Sequence, residues 1–230
     1  MQTLDTLLNL AIRHYRAGEL GAAEQKFRQV LKLQPKHILA LNILGIICLG
    51  SDRCDESIRL IQTALEIKPK DHQALANLAL AKQRVGDLQA AIRALERSLS
   101  LVPKNVNALN SLGSLYRDTG NIARAEQCYQ SALKLDPKHI DSLLNSTIVE
   151  RAQGRFKNAL TCALRALQIA PERVQVRYQI ARTYAASGDY PNAIEWYEKA
   201  LLSEEFPEFE FIGDDMMILE MQHDLLVSLN

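Results

Sequence analysis

Residues 106–139, VNALNSLGSLYRDTGNIARAEQCYQSALKLDPKH, contain the pattern that decides the fold of this chain. Leu109, Leu112 and Tyr116 stand three and four residues apart, a spacing that predicts one face of an amphipathic helix. Gly120 ends this helix, because glycine adopts left-handed backbone angles without steric cost. A second apolar pattern of the same period follows and stops before a proline. The stretch therefore predicts two short helices joined by a turn.

The same pattern recurs along the chain with a step of 34 residues. Prolines mark the step at Pro35, Pro69, Pro103, Pro137 and Pro171. Glycines mark it at Gly18, Gly86, Gly120, Gly154 and Gly188, with Asp52 in the one exceptional place. One helix pair cannot bury its apolar face alone, so copies have to stack on both sides of it. The sequence predicts an all-α fold with repeats at about 4–37, 38–71, 72–105, 106–139, 140–173 and 174–205.

The repeat resembles that of the tetratricopeptide repeat (TPR) family. The family's landmarks correspond to Leu109, Leu112, Gly113, Tyr116, Ala125, Tyr129, Ala132 and Pro137. The resemblance covers residues 4–205 and implies a right-handed α-solenoid whose first helices line a concave groove. Repeat five departs from the pattern, since Ser146 and Thr147 replace the Leu-Gly pair and Glu150 replaces the tyrosine. We expect weaker packing in that repeat.

Residues 206–230 no longer keep the repeat register. The segment 204–215, EEFPEFEFIGDD, has six acidic residues, three phenylalanines and no basic residue. From Asp214 onward apolar residues recur with a helical period, which predicts a helix that caps the last repeat. The ending LLVSLN fits a fragment of a longer protein and a short native cap equally well.

The amino-acid composition limits the kinds of partner that the chain is expected to bind. Lys and Arg together number 27, the same as Asp and Glu together, so net charge does not favour nucleic acid or a membrane surface. No apolar run approaches the roughly 18 residues that a membrane span needs, and the N-terminus lacks a signal-peptide pattern. Four cysteines without paired spacing favour a reducing compartment, so we expect the chain in the cytoplasm.

Sequence motifs for catalysis are missing. There is no glycine-rich phosphate loop, HExxH helix or paired CxxC, so we predict that the chain is not an enzyme and holds neither a metal nor a cofactor. His37 and His139 occupy equivalent places after a proline and are interpreted as turn residues. In repeat two, Gly50 is expected to end the first helix two residues early and to alter the turn that follows.

Helical geometry and the TPR resemblance together indicate which side chains face the groove. One row reads Asn9, Ile43, Asn77, Ser111, Asn145 and Gln179, with Asn42 and Asn110 one residue earlier. A carboxamide both donates and accepts, so it can hold the backbone of an extended peptide. The row resembles the asparagine ladder of O-GlcNAc transferases, although only three of the six places are Asn. Ordinary polar residues on an exposed helix face are the alternative.

Two further groups of residues lie on the same face. Arginines near the helix ends could receive carboxylates of a ligand; these are Arg16, Arg84, Arg117, Arg151 and Arg182. Apolar side chains make the N-terminal half of the groove hydrophobic; these are Leu8, Ile12, Leu39, Ile46 and Leu80.

These features predict a scaffold that binds an extended peptide or a partner helix in the concave groove. The resemblance leaves a second function open, in which the chain recruits substrates for a glycosyltransferase or sulfotransferase domain outside this sequence. A third is self-assembly, in which the 204–211 segment enters the groove of another copy and makes a homo-oligomer.

Overall fold

The computed structural model of the chain describes residues 3–201, Asp224 and residues 226–228. This described part contains α-helices and no β-strand. The helices are α1 Leu4–Arg16, α2 Leu20–Leu33, α3 Ile38–Gly50, α4 Cys54–Ile67, α5 His72–Arg84, α6 Leu88–Leu101, α7 Val106–Asp118, α8 Ile122–Leu135, α9 Ile140–Ala152, α10 Phe156–Ile169, α11 Val174–Ser187 and α12 Tyr190–Leu201. The odd-numbered helices begin at the residues predicted to open the six repeats, and the predicted all-α repeat fold is confirmed.

The chain divides into two compact units, Met1–Leu115 and Tyr116–Asn230. In the first unit α1 packs against α2, α3 against α4, and α5 against α6. In the second unit α9 packs against α10, and α11 against α12. Successive pairs also pack on one another within each unit, through α2 and α3 and through α4 and α5 in unit one, and through α8 and α9 and through α10 and α11 in unit two.

Small residues let the helices of unit one approach closely. Ala11, Ala23 and Ala79 are almost completely buried at the positions where the pattern requires a small side chain. Gly45 shows why the requirement is strict, because a Cβ added there would lie 2.7 Å from Cγ1 of Ile61. That distance is far inside van der Waals contact.

Unit two has an apolar core in which Leu143, Val176 and Ile180 are fully buried. Thr147, which replaces the expected glycine, is also fully buried. Its hydroxyl donates to the carbonyl of Leu143 at 2.9 Å, so the helix itself satisfies this polar group. Repeat five thus keeps its helix pair despite its unusual residues.

The turn of repeat two is not altered, and the prediction of an early helix end was wrong. Asp52 has a φ of 59°, close to the 79° of Gly86 at the equivalent place. Helix α3 ends at Gly50 and α5 at Arg84, each two residues before the left-handed position. Aspartate tolerates this conformation better than most residues, at a cost in free energy, so the register survives without glycine.

The histidines interpreted as turn residues are helix N-caps. Nδ1 of His37 accepts from the backbone N–H of Ala40 at 3.2 Å, and Nδ1 of His139 accepts from that of Ser142 at 3.2 Å. Asp71 has the same role at α5, where its carboxylate accepts from the first turn. Each cap satisfies a backbone donor that the helix leaves unpaired.

The four cysteines are free thiols. Cys48 is fully buried, and burial together with Glu56 raises the pKa of its thiol to about 11. None of the described helices is both long enough and apolar enough to cross a bilayer.

The predicted linker and capping helix fall mainly outside the described residues. Asp224 and residues 226–228 have helical backbone. The hydroxyls of Tyr178 and Tyr197 donate to Oδ2 of Asp224 at 3.4 and 3.3 Å. Asp224 therefore contacts the last helix pair of unit two.

Candidate functional site

The first-helix face of unit one is formed by α1, α3, α5 and residues 106–115 of α7. Asn9 is exposed on it, whereas Asn42, Asn77 and Asn110 are half-buried. The partial burial holds these carboxamides in place and leaves part of each accessible.

A cavity of about 270 Å³ opens between α5 and α7 on this face. Its lining includes Asn77 and Ser111, the ladder residues of two consecutive repeats. Gln83 and Asn107 add two more carboxamides, and Leu80 contributes an apolar side chain that is 49% exposed. Two members of the predicted row therefore line one depression that has both hydrogen-bonding and apolar surface.

Asn42 carries an unusual polar atom. Its Oδ1 is enclosed, and it accepts no hydrogen bond from the described residues. Buried polar groups are nearly always paired in folded proteins, so an unpaired oxygen here costs the fold free energy.

The apolar half of the predicted groove is present only in part. Leu39 is 44% exposed and, with Leu80, supplies the large exposed apolar side chains of the first helices in unit one. Leu8 and Ile12 instead pack against the core.

In unit two the predicted arginines contact the predicted ladder. Nη1 of Arg117 donates to Oδ1 of Asn145 at 2.9 Å. Nη1 of Arg151 donates to Oε1 of Gln179 at 2.8 Å. Both bonds join residues 28 positions apart in consecutive repeats. Burial, together with Arg182, lowers the pKa of Arg151 to about 10.

Two of the other three predicted arginines, Arg84 and Arg182, also have protein partners. Nη1 of Arg84 donates to the carbonyl of Leu49 at 3.1 Å. The guanidinium of Arg182 lies 5.5 Å from the ring centroid of Tyr178 and 3.6 Å from a carboxylate oxygen of Asp224. A ligand carboxylate would have to share these arginines with their present partners.

Ion pairs between repeats were not predicted. Arg53 donates to both carboxylate oxygens of Glu24, at 2.7 and 2.6 Å, although 29 residues separate them. This pairing lowers the pKa of Glu24 to about 2. In unit two Arg155 and Glu126 are likewise 29 residues apart, with nitrogen and oxygen at 3.0 Å.

Both arginines stand where a second helix begins. Asp87 and Asn121 occupy the same place in their repeats and cap their own helices through side-chain oxygens. Arg53 and Arg155 make no such cap. The missing capping residue, with glutamate 29 positions earlier, is the sequence signal for these links.

A second cavity, of about 420 Å³, lies in unit two between α8, α9 and α10. Ser146 and Glu150, two of the three residues by which repeat five departs from the pattern, both line it. The unusual residues of repeat five predict weaker packing, but they do not by themselves predict a cavity.

Two family models match the chain. The model of the cilia and flagella-associated protein 70 middle TPR-like domain matches residues 75–193, just over half of the chain. A tetratricopeptide repeat model matches residues 8–72. None of the curated proteins matches.

Solved structures share this fold at low identity. A tetratricopeptide repeat protein from Parabacteroides merdae ATCC 43184 superposes with a TM-score of 0.77 at 18% identity, over 99% of both chains. PilF of Pseudomonas aeruginosa gives 0.76 at 15% identity, over 96% of this chain and 97% of PilF. YrrB, described as a TPR protein with an unusual peptide-binding site, gives 0.63 at 15% identity, over 86% of this chain and 97% of YrrB.

Proposed function

Because the chain belongs to the tetratricopeptide repeat family, we infer that it is a protein-binding scaffold, and we propose that the first-helix face of unit one binds an extended peptide. The observation that carries the proposal is the cavity of about 270 Å³ that Asn77 and Ser111 share. The matched residues form a repeat fold that is not itself catalytic.

The side chains on this face suit an extended backbone. Such a peptide presents an N–H and a C=O at every residue, and carboxamides can pair with both. Leu39 and Leu80 offer apolar surface for side chains of the same ligand. The description of YrrB as having a peptide-binding site supports the view that an array of this fold can bind peptides.

Asn42 adds an energetic argument. A buried acceptor without a partner costs about 1–3 kcal/mol. Residues that break a local rule of stability are expected at functional sites. We therefore include Asn42 with Asn77 in the proposed contact surface, and Asn9 and Asn110 as neighbouring candidates.

The ladder residues of unit two are expected to contribute less to peptide binding than those of unit one. Asn145 and Gln179 already accept hydrogen bonds from Arg117 and Arg151. A peptide there would compete with these bonds, so we expect it to bind more weakly than at Asn77. Arg84 and Arg182 stay candidates for ligand carboxylates.

The test is an array of random 12-residue peptides probed with the wild-type chain and with Asn77→Ala. We expect the strongest binders to lose about tenfold in affinity in fluorescence anisotropy when one central hydrogen-bonding side chain is removed. Gln62→Ala is the matched control, because Gln62 is an exposed carboxamide on α4, the second helix of repeat two.

Circular dichroism gives the second readout. Asn77→Ala should unfold within about 0.5 kcal/mol of the wild type, as surface substitutions do. Equal affinity of Asn77→Ala and the wild type, or an array without binders, would overturn the proposal.

Two alternatives stay predictions. The substrate-recruiting role concerns an enzyme domain outside this sequence. Self-assembly through residues 204–211 concerns a segment outside the described residues. Light scattering over a range of concentrations addresses self-assembly, since a homo-oligomer gains mass with concentration.

A further inference from the structure

Repeat five differs from the other repeats at a core position. Ser146 stands where the 34-residue step places large aliphatic side chains: Leu10, Leu44, Leu78, Leu112 and Ile180. Leu44 and Ile180 are 1% and 0% exposed, so the position normally fills the interior of a helix pair. One turn later Glu150 replaces the tyrosine of repeats four and six.

These exchanges coincide with the cavity of about 420 Å³ in unit two. Tyr129, Leu133 and Val149 contribute apolar wall, and Cys162 lines it as well. Burial and Glu150 raise the pKa of the Cys162 thiol, so it is a neutral wall residue rather than a thiolate. The volume falls in the range of known ligand sites, about 300–1,000 Å³.

The acidic side chains that line this cavity form ion pairs, whereas its basic side chains form none within the part of the chain that the structure describes. Arg155 donates to Glu150 at 2.5 Å and lies 3.0 Å from Glu126, so both carboxylates of the cavity wall are paired. Lys134 and Arg165 also line the cavity and form no ion pair with the described residues. Arg165 donates one bond, to the carbonyl of Pro137 at 3.0 Å. The positive charges of Lys134 and Arg165 are therefore not balanced by a carboxylate of the described residues.

We propose that this cavity is a second binding site, which receives a bulky apolar side chain of a partner protein's acidic segment. The apolar side chain would fill the space that the missing leucine and tyrosine leave. The carboxylate next to it would pair with Lys134 and Arg165. The cavity involves α8–α10 and not α5, so the proposal does not depend on the site at Asn77.

The test uses three fluorescein-labelled peptides and the full chain. The first is acetyl-Glu-Glu-Phe-Glu-Glu-amide, the second has Ala in place of Phe, and the third has Gln in place of every Glu. We expect the wild type to bind the first peptide at least about tenfold more tightly than the second, because a buried aromatic side chain carries that much transfer free energy. Affinity for the first peptide, but not the third, should fall with salt.

Ser146→Leu tests the site directly by restoring the residue of the other repeats. We expect binding of the first peptide to fall about tenfold or more, with a melting temperature equal to or above that of the wild type. Ser131→Leu is the matched control, since Ser131 is exposed on α8 and does not line the cavity. Asn77→Ala should bind this peptide normally.

Arg165→Gln provides a variant that does not touch the core, because Arg165 is exposed. This substitution should lower the affinity for the first peptide several-fold and make that affinity less dependent on salt. The proposal is overturned if the wild type does not bind the first peptide at millimolar concentration, if it does not distinguish Phe from Ala, or if Arg165→Gln and Ser146→Leu bind like the wild type.

Discussion

Gly45→Ala is the smallest change that tests how closely the helices of repeat two pack. The added Cβ would lie 2.7 Å from Cγ1 and 3.2 Å from Cδ1 of Ile61. Favourable carbon contacts are about 3.5–4.0 Å, so the methyl group would overlap with Ile61. Cγ1 is bonded directly to Cβ, and a β-branched side chain in a helix has one strongly preferred χ1 rotamer. Ile61 is fully buried and has little room to move.

The expected magnitude is a difference of two terms. Replacing glycine by alanine in a helix interior stabilises it by about 1 kcal/mol. Overpacking a core costs about 1–3 kcal/mol. We therefore expect Gly45→Ala to lower the free energy of unfolding by up to about 2 kcal/mol. For a chain of this size, a loss of about 2 kcal/mol corresponds to a melting temperature lower by about 4–8 °C.

Thermal unfolding followed by far-UV circular dichroism measures this effect. Gly50→Ala is the control, because Gly50 ends the same helix and no atom lies within 4 Å of its added Cβ. It should melt at or slightly above the wild-type temperature. In an Ile61→Ala background the clash is gone, so Gly45→Ala should there become stabilising. A melting temperature of Gly45→Ala that equals that of Gly50→Ala would refute the packing argument.

Two further substitutions follow from the structure. Asp52→Gly should raise the free energy of unfolding by about 1 kcal/mol, because Asp52 is held at a left-handed φ of 59° that costs an L-residue free energy; an unchanged urea midpoint would contradict this. Glu24→Gln should lose less stability than the wild type when the pH falls from 4.5 to 2, because pairing with Arg53 lowers the pKa of Glu24 to about 2. The carboxylate contributes stability above its unfolded pKa and loses it on protonation, so parallel pH curves of the two proteins would contradict the pairing.

The helices could be predicted because their determinants are local. Apolar residues at helical spacing, a glycine such as Gly120 after the first helix and a proline such as Pro137 after the second repeat every 34 residues. The periodicity also predicts which side chains share the first-helix face. Asn77 and Ser111 occupy equivalent positions in consecutive repeats, and they line one cavity.

Contacts between repeats could not be predicted from the periodicity of the sequence. Periodicity shows that Arg117 and Arg151 are equivalent, but it does not show where a long side chain points. The periodicity offers Arg117 as a candidate for ligand carboxylates, and in the folded chain its guanidinium donates to Asn145 of the next repeat. The choice depends on which acceptor lies within reach after packing, and that is a property of the folded repeat pair.

We infer from the hydrogen bonds and ion pairs around Arg155 that the fold stabilises the cavity of repeat five. The exchange that removes a tyrosine introduces Glu150, and this carboxylate accepts from both Arg155 and Asn158. Arg155 also pairs with Glu126 of the preceding repeat. In a repeat array, stability is the sum of terms within repeats and terms between neighbours. Repeat five loses apolar contacts within itself and gains an ionic link to repeat four, so an open cavity and a stable interface occur together.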